Sequence, residues 1–296
     1  MEIRTLRYFL AAAREENLTR AAESLHVTQP TLSKALKTLE DELGRKLFVR
    51  HSFSISLTDE GVLLRNRAED LISMADKIEK EFVSLDDIAG GELYFGLAES
   101  YQIRYLAEEI RRLKQRFPSL HYHITSGDSE QVLEKLDKGL LDFAVLAETP
   151  DYSRYQAIPF PEDDDWGLIV PVNDPLAHKE HITPEDLHGL PLFCSEQSWN
   201  QEIRTWASDH FGEMHLEGSF RLSYNGSVFV SAGLGYLLTF RNLINTSQES
   251  GLKFIPLFPS LKTRLYLIRS RYQHMTPIAG KFLEQLTASF AGKHPE

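Results

Sequence analysis

Five side chains in the N-terminal region have the types and spacing that read DNA: Gln29, Thr31, Ser33, Lys34 and Lys37. Glutamine can bond adenine, threonine offers a hydroxyl or touches a thymine methyl, and lysine meets guanine or phosphate. Thr28 and Pro30 belong to the same run, and Arg50 and His51 follow within reach of the backbone or minor groove. A second set is spread over residues 91–296: Ser100, Tyr101, Ser126, Ser129, Cys194, Ser195, Glu196, Tyr224 and Asn225. Hydroxyls and free backbone N–H groups at helix starts suit a carboxylate or another anion. Ser129 before Glu130 is also the ordinary way to begin a helix.

Other candidate chemistries fall short. His121 and His123 would share one side of a strand, but no nearby carboxylate or thiol completes a metal set. Gly233 and Gly235 lack the third glycine of a dinucleotide fingerprint. The chain has no G-x-S-x-G, P-loop, H-E-x-x-H or paired C-x-x-C. No enzyme, cofactor or metal site is expected. Cys194 is the single cysteine, so an internal disulfide is excluded and a reducing cytoplasm fits. An oxidant-sensing role for Cys194 is the alternative, without a resolving cysteine to support it.

The elements that must position the first set follow from periodicity. Leu6, Phe9, Leu10 and Ala13 recur at helical spacing, and Asn17 and Leu18 interrupt them. Thr19 is placed to cap a second helix with Ala21, Ala22 and Leu25 inward. After His26 and Val27, Thr28 caps a third helix with Pro30 in its first turn and Leu32, Ala35, Leu36 and Leu39 buried. Small residues where two steeply crossed helices touch, and a tight turn between them, make a helix-turn-helix. Gly44 ends the third helix, and residues 46–50 and 55–57 read as a two-stranded wing.

The net charge of −11 over 296 residues argues against nucleic acid only until it is resolved along the chain. Residues 1–58 carry nine lysines and arginines against seven carboxylates; the excess acid lies beyond them. Lys34, Lys37, Arg45, Lys46 and Arg50 form a local basic surface.

The paired alanines, Gln29-Pro30, Ser33, Leu39-Glu40, Leu43-Gly44, Leu47-Phe48, Arg50 and the run from Leu57 to Gly61 together resemble the winged helix-turn-helix of LysR-type transcriptional regulators. One departure is a wing tip, residues 51–54, uncharged apart from His51. The resemblance implies double-stranded DNA as partner, a small-molecule effector and self-association as a homodimer or homotetramer.

From Thr58 onward, Leu64, Ala68, Leu71, Ala75, Ile78, Phe82 and Leu85 alternate at spacings of four and three, the seam of a dimerising helix. Gly90 and Gly91 then read as a hinge. Strand-like and helical segments alternate through residues 92–146, predicting a mainly parallel sheet. Residues 159–165 look like a crossing into a second lobe, and residues 264–269 like the return. The charge-free run of 19 residues, 222–240, reads as a helix followed by a strand rather than a membrane span, and no membrane partner is expected. Two α/β lobes joined by two crossings make a cleft for a small ligand, and the resemblance implies an effector domain similar to periplasmic solute-binding proteins. The expected domains are a winged helix-turn-helix at 1–58, a linker helix at 59–89 and an effector domain at 90–296. Its lobe I covers about 90–161 and 265–296, and lobe II about 162–264.

Overall fold

The computed structural model describes residues 1–84 and 90–292. The chain divides into one unit spanning Met1–Asp86 and another spanning Asp87–Glu296.

In the first unit, α1 (Ile3–Glu15), α2 (Leu18–Ser24) and α3 (Gln29–Leu43) enclose Leu6, Phe9, Ala12, Leu32, Leu36 and Leu39. Ala21 and Ala22 are fully buried, and their small side chains let α2 lie close against its neighbours. Asn17, not Thr19, caps α2: its carboxamide oxygen accepts the N–H groups of Thr19 and Arg20. Thr19 thus sits one residue inside the helix, its own N–H already used. His26 takes the left-handed conformation, φ 54°, that closes the turn. The Thr28 hydroxyl accepts the Thr31 N–H to start α3.

The wing is β1 (Phe48–Arg50) paired antiparallel with β2 (Ile55–Leu57). Glu40 anchors it to the end of α3, accepting from Lys46 Nζ at 2.8 Å and the Leu47 N–H at 2.9 Å. Burial pushes the Glu40 carboxyl up, but these hydrogen bonds and the lysine charge hold it below its usual range. At the far end, Asn17 Nδ2 donates to the Phe53 carbonyl and the Ile55 N–H to the Glu16 carbonyl. Gly61 is required where it stands, since a Cβ there would strike the Leu47 carbonyl oxygen.

The long helix α4 (Asp59–Ser84) begins with the Thr58 hydroxyl accepting the Gly61 N–H. The seam anticipated for a partner is corrected at its start. Ala68 is 0% exposed and Leu64 half-buried, both packed on the helix-turn-helix core. Leu71, Ile78 and Phe82 remain exposed and Ala75 half-buried; Leu85 lies outside the described residues.

The second unit holds two sheets. One contains β3 (Gly90–Leu97), β4 (Ser119–Ser126), β5 (Phe143–Leu146), β6 (Tyr155–Pro159) and β13 (Tyr266–Ser270), ordered β4-β3-β5-β13-β6. α5 (Ile103–Arg116) and α10 (Pro277–Ala291) pack on it around Phe95, Phe143 and Phe282, while α6 (Ser129–Asp137) packs through Val132 and Leu136 against Ala144, Leu146 and Ile268. The other contains β7 (Asp164–Pro171), β8 (Pro191–Cys194), β9 (His215–Ser219), β10 (Tyr236–Phe240) and β11 (Leu252–Pro256), ordered β11-β7-β10-β8-β9, with β12 (Lys262–Thr263) also on β7. Its helices include α7 (Glu196–Ser198), α8 (Arg204–Ala207) and α9 (Ser223–Ser231). The sheets are mixed rather than mainly parallel. β13 returns from the second lobe and inserts antiparallel between β5 and β6, and β7 runs antiparallel to β10 and β11. Gly90 and Gly91, expected as a hinge, are strand residues paired with Ser119 and Leu120. The charge-free run forms α9 and then β10, and among the described residues no helix is long and apolar enough to cross a membrane.

Candidate DNA interface and effector cleft

On α3, Thr28, Gln29, Pro30, Thr31, Lys34 and Lys37 are all exposed, while Leu32, Leu36 and Leu39 turn inward. Ser33 is half-buried, and its hydroxyl accepts from the Arg50 guanidinium at 3.4 Å, joining helix to wing. His51 Nε2 lies 3.0 Å from the Ser56 hydroxyl across the hairpin. Polar and basic side chains thus share one surface of a rigid scaffold, the arrangement that fits a helix into the major groove and a wing along the backbone.

In the second unit a cleft of about 940 Å³ lies between the lobes. Among the described residues, Gln197, Ser223 and Arg221 of the second lobe reach across it, each to an acceptor on the first lobe. Gln197 Nε2 donates to Glu148 Oε2 at 3.0 Å and approaches Ser129 Oγ at 3.4 Å. The Ser223 N–H donates to Glu99 Oε2 at 2.6 Å, and Arg221 Nε lies 3.4 Å from Asp128 Oδ2. Trp166, Phe220 and Phe240 line the cleft, the first and last packed edge to face with ring centroids 4.5 Å apart.

Of the effector residues expected from sequence, Ser129, Ser195 and Glu196 line this cleft. The others do not. Ser100 donates its hydroxyl hydrogen to Asp164 at the lobe crossing. Tyr101 projects outward beside Arg104, and Ser126, Tyr224 and Asn225 are exposed outside the lining. Cys194 is wholly buried in the core of the second lobe, where desolvation pushes its thiol well above the usual range. At each of three helix starts where an anion was anticipated, one N–H is already held. Asp128 caps α6 at Gln131, Glu99 takes the Ser223 N–H that opens α9, and Ser195 accepts from Ser198.

Three of the lining residues that sequence reasoning missed sit one position from those it chose. Asp128 precedes Ser129, Ser223 precedes Tyr224, and Glu99 precedes Ser100. An N-cap rule preferring Asp128 over Ser129 would have found the first; Glu148, Gln197 and Glu202 carried no local signal. His121 and His123 do meet a carboxylate: Glu92, on the neighbouring strand, lies 2.6 Å from His123 Nε2 and 3.7 Å from His121 Nδ1. Among the described residues no group of three His, Cys, Asp or Glu side chains is arranged to hold a metal ion.

A winged helix-turn-helix joined to a two-lobed α/β ligand cleft defines a transcription regulator that senses a small molecule. Residues 3–62 match the profile "Bacterial regulatory helix-turn-helix protein, lysR family", and residues 87–291 match "LysR substrate binding domain". The chain belongs to the LysR family and is a DNA-binding transcriptional regulator with an effector-binding domain. It is 30% identical over 298 residues to a hydrogen peroxide-inducible genes activator of Pectobacterium carotovorum subsp. carotovorum, covering 97% of this chain and 94% of that one. Its fold is similar to that of CbnR, a LysR family transcriptional regulator (TM-score 0.78, 20% identity, 98% of this chain and 99% of that one). It is also similar to full-length CbnR complexed with its target DNA (TM-score 0.76, 20% identity, 98% and 100%).

Proposed function

We propose that Thr28, Gln29, Pro30, Thr31, Ser33, Lys34 and Lys37 enter the major groove while Arg50 and His51 contact the adjacent backbone or minor groove. The observation that carries this reading is the exposed polar face of α3 tied to the wing through Ser33 and Arg50. Residues 1–58 recognise DNA, 59–89 link and dimerise, and 90–296 sense the effector. The protein acts in the cytoplasm as a homodimer or homotetramer and catalyses no reaction. Exposed Leu71, Ile78 and Phe82 on α4 supply the apolar contact between copies. A ligand in the cleft replaces lobe-spanning contacts and so shifts the population of lobe geometries, which alters the spacing of paired recognition helices.

The test is a gel-shift titration of the intact protein against the DNA upstream of its own coding sequence, with unrelated DNA as competitor. Selective retardation supports the reading; equal affinity for both DNAs refutes it.

The similarity to a peroxide-inducible activator motivates a redox reading through Cys194. Small-molecule control is favoured because this thiol is sealed in the lobe core and has no second cysteine to pair with.

A further inference from the structure

The charge lining the cleft identifies the class of its ligand. Six carboxylates face it: Glu99, Asp128, Glu130, Glu148, Glu196 and Glu202. Arg221 is the single cationic side chain among the lining residues, and it is already paired with Asp128. An anionic ligand would therefore meet like charge from both lobes and find one N–H at each of three helix starts already held. A neutral ligand would leave the acidic lining uncompensated.

Two further observations point the same way. Glu202 belongs to this lining, and its Oε2, shielded from solvent, takes no hydrogen bond. Burial and the nearby Glu148 charge push the Glu202 carboxyl up, although its own backbone N–H and Ser198 oppose them. Such a pair gains most when a positive group comes between its members. The aromatic rings of Trp166, Phe220 and Phe240 in the same lining add the quadrupole that attracts ammonium and guanidinium groups. A metal ion fits poorly, because the carboxylates are dispersed and none of the described clusters can chelate one.

We propose that the cleft takes an organic cation, a small molecule bearing one or more ammonium or guanidinium groups, held between Glu148 and Glu202 and bordered by the rings of Trp166, Phe220 and Phe240. The assignment rests on the cleft being the effector site. The cation takes the place of the Gln197 amide at Glu148, replacing a bond between the lobes with one of its own. Sequence reasoning favoured an anion because it counted hydroxyls and helix starts; the carboxylates reach the cleft only through the fold.

The experiment is thermal denaturation and calorimetric titration of the full chain with diamines, guanidino compounds and quaternary ammonium compounds, from 1,4-diaminobutane to arginine and choline. Each is matched by a carboxylate and an alcohol of similar length. At least one cation should raise the melting temperature and alter the gel shift. Glu148→Gln and Glu202→Gln, each isosteric, should each weaken that cation about tenfold or more. Both variants should keep the melting temperature of the unliganded protein or exceed it, which separates lost binding from lost folding. Binding of carboxylates with amines silent overturns the cation while leaving the effector cleft standing. Silence of all three classes, in binding and in gel shift, overturns both. Cation binding unaffected by either glutamine variant places the ligand elsewhere and refutes the site.

Discussion

Ser100 Oγ donates a 2.5 Å hydrogen bond to Asp164 Oδ2 where the chain first crosses between the lobes, and both side chains are buried. Around this bond, Arg264 grips Asp163 at 2.6 Å and Arg104 reaches Glu162 at 2.5 Å. The crossing is thus a clamped strap, with a carboxyl at its centre shut away from water.

Burial pushes Asp164 up to about 6, against the opposing bonds from Ser100 and Gln102. A raised carboxyl favours folding in its protonated form, so this contribution is complete below pH 4 and lost as pH rises through about 6. Asp164→Asn should remove that slope and leave the variant more stable than the parent at pH 8 by on the order of 1–3 kcal/mol. Thermal denaturation at pH 5 and pH 8 checks this; a difference that does not change with pH would count against it.

Gln29→Ala and Lys34→Ala should each weaken specific DNA binding by about 1–3 kcal/mol without lowering the melting temperature, because both side chains are exposed. Gln29→Ala should also relax base preference, measured by competition with operator variants. Unchanged discrimination in both would remove α3 from recognition.

Ile78→Glu and Phe82→Glu place charge on the exposed stripe of α4, where Phe82 is 68% exposed. Each should shift the protein toward monomer in analytical ultracentrifugation at micromolar concentration. An unaltered sedimentation coefficient in the double variant would locate self-association elsewhere.

Cys194 is fully buried with its thiol pushed up by desolvation, so it should react with a disulfide reagent far more slowly than the denatured chain does. Hydrogen peroxide should leave the gel shift unchanged, and Cys194→Ala should keep the effector response. Rapid labelling of the folded protein, or loss of response in that variant, would revive the redox reading.

How much could be read from sequence depended on the range of the interactions. Leu32, Leu36 and Leu39 repeat at helical spacing, Thr28 and Pro30 mark a helix start, and Gly44 marks its end. All of these act within a few residues. Even the error at Thr19 was short-ranged: the Asn17 carboxamide reaches two N–H groups at once. The cleft is different in kind. Ser223 and Glu99 are 124 residues apart, and Gln197 and Glu148 are 49 apart. No local pattern couples them, so the hydroxyls were visible and the carboxylates that matter were not. At Leu64 and Ala68 the α4 seam instead covers its own domain, because periodicity marks an apolar face without naming what covers it.

The contacts that Gln197, Ser223 and Arg221 make across the cleft differ in their response to ionic strength. The Arg221–Asp128 pair is long, and Arg221 is 64% exposed, so dissolved salt screens it readily. The bonds from Ser223 and Gln197 come from neutral donors in half-buried surroundings and are screened far less. Contacts between lysines and DNA phosphates weaken steeply as salt rises. Rising salt would therefore loosen lysine–phosphate contacts well before the Ser223 and Gln197 bonds, so DNA affinity would fall while the lobes stayed held together.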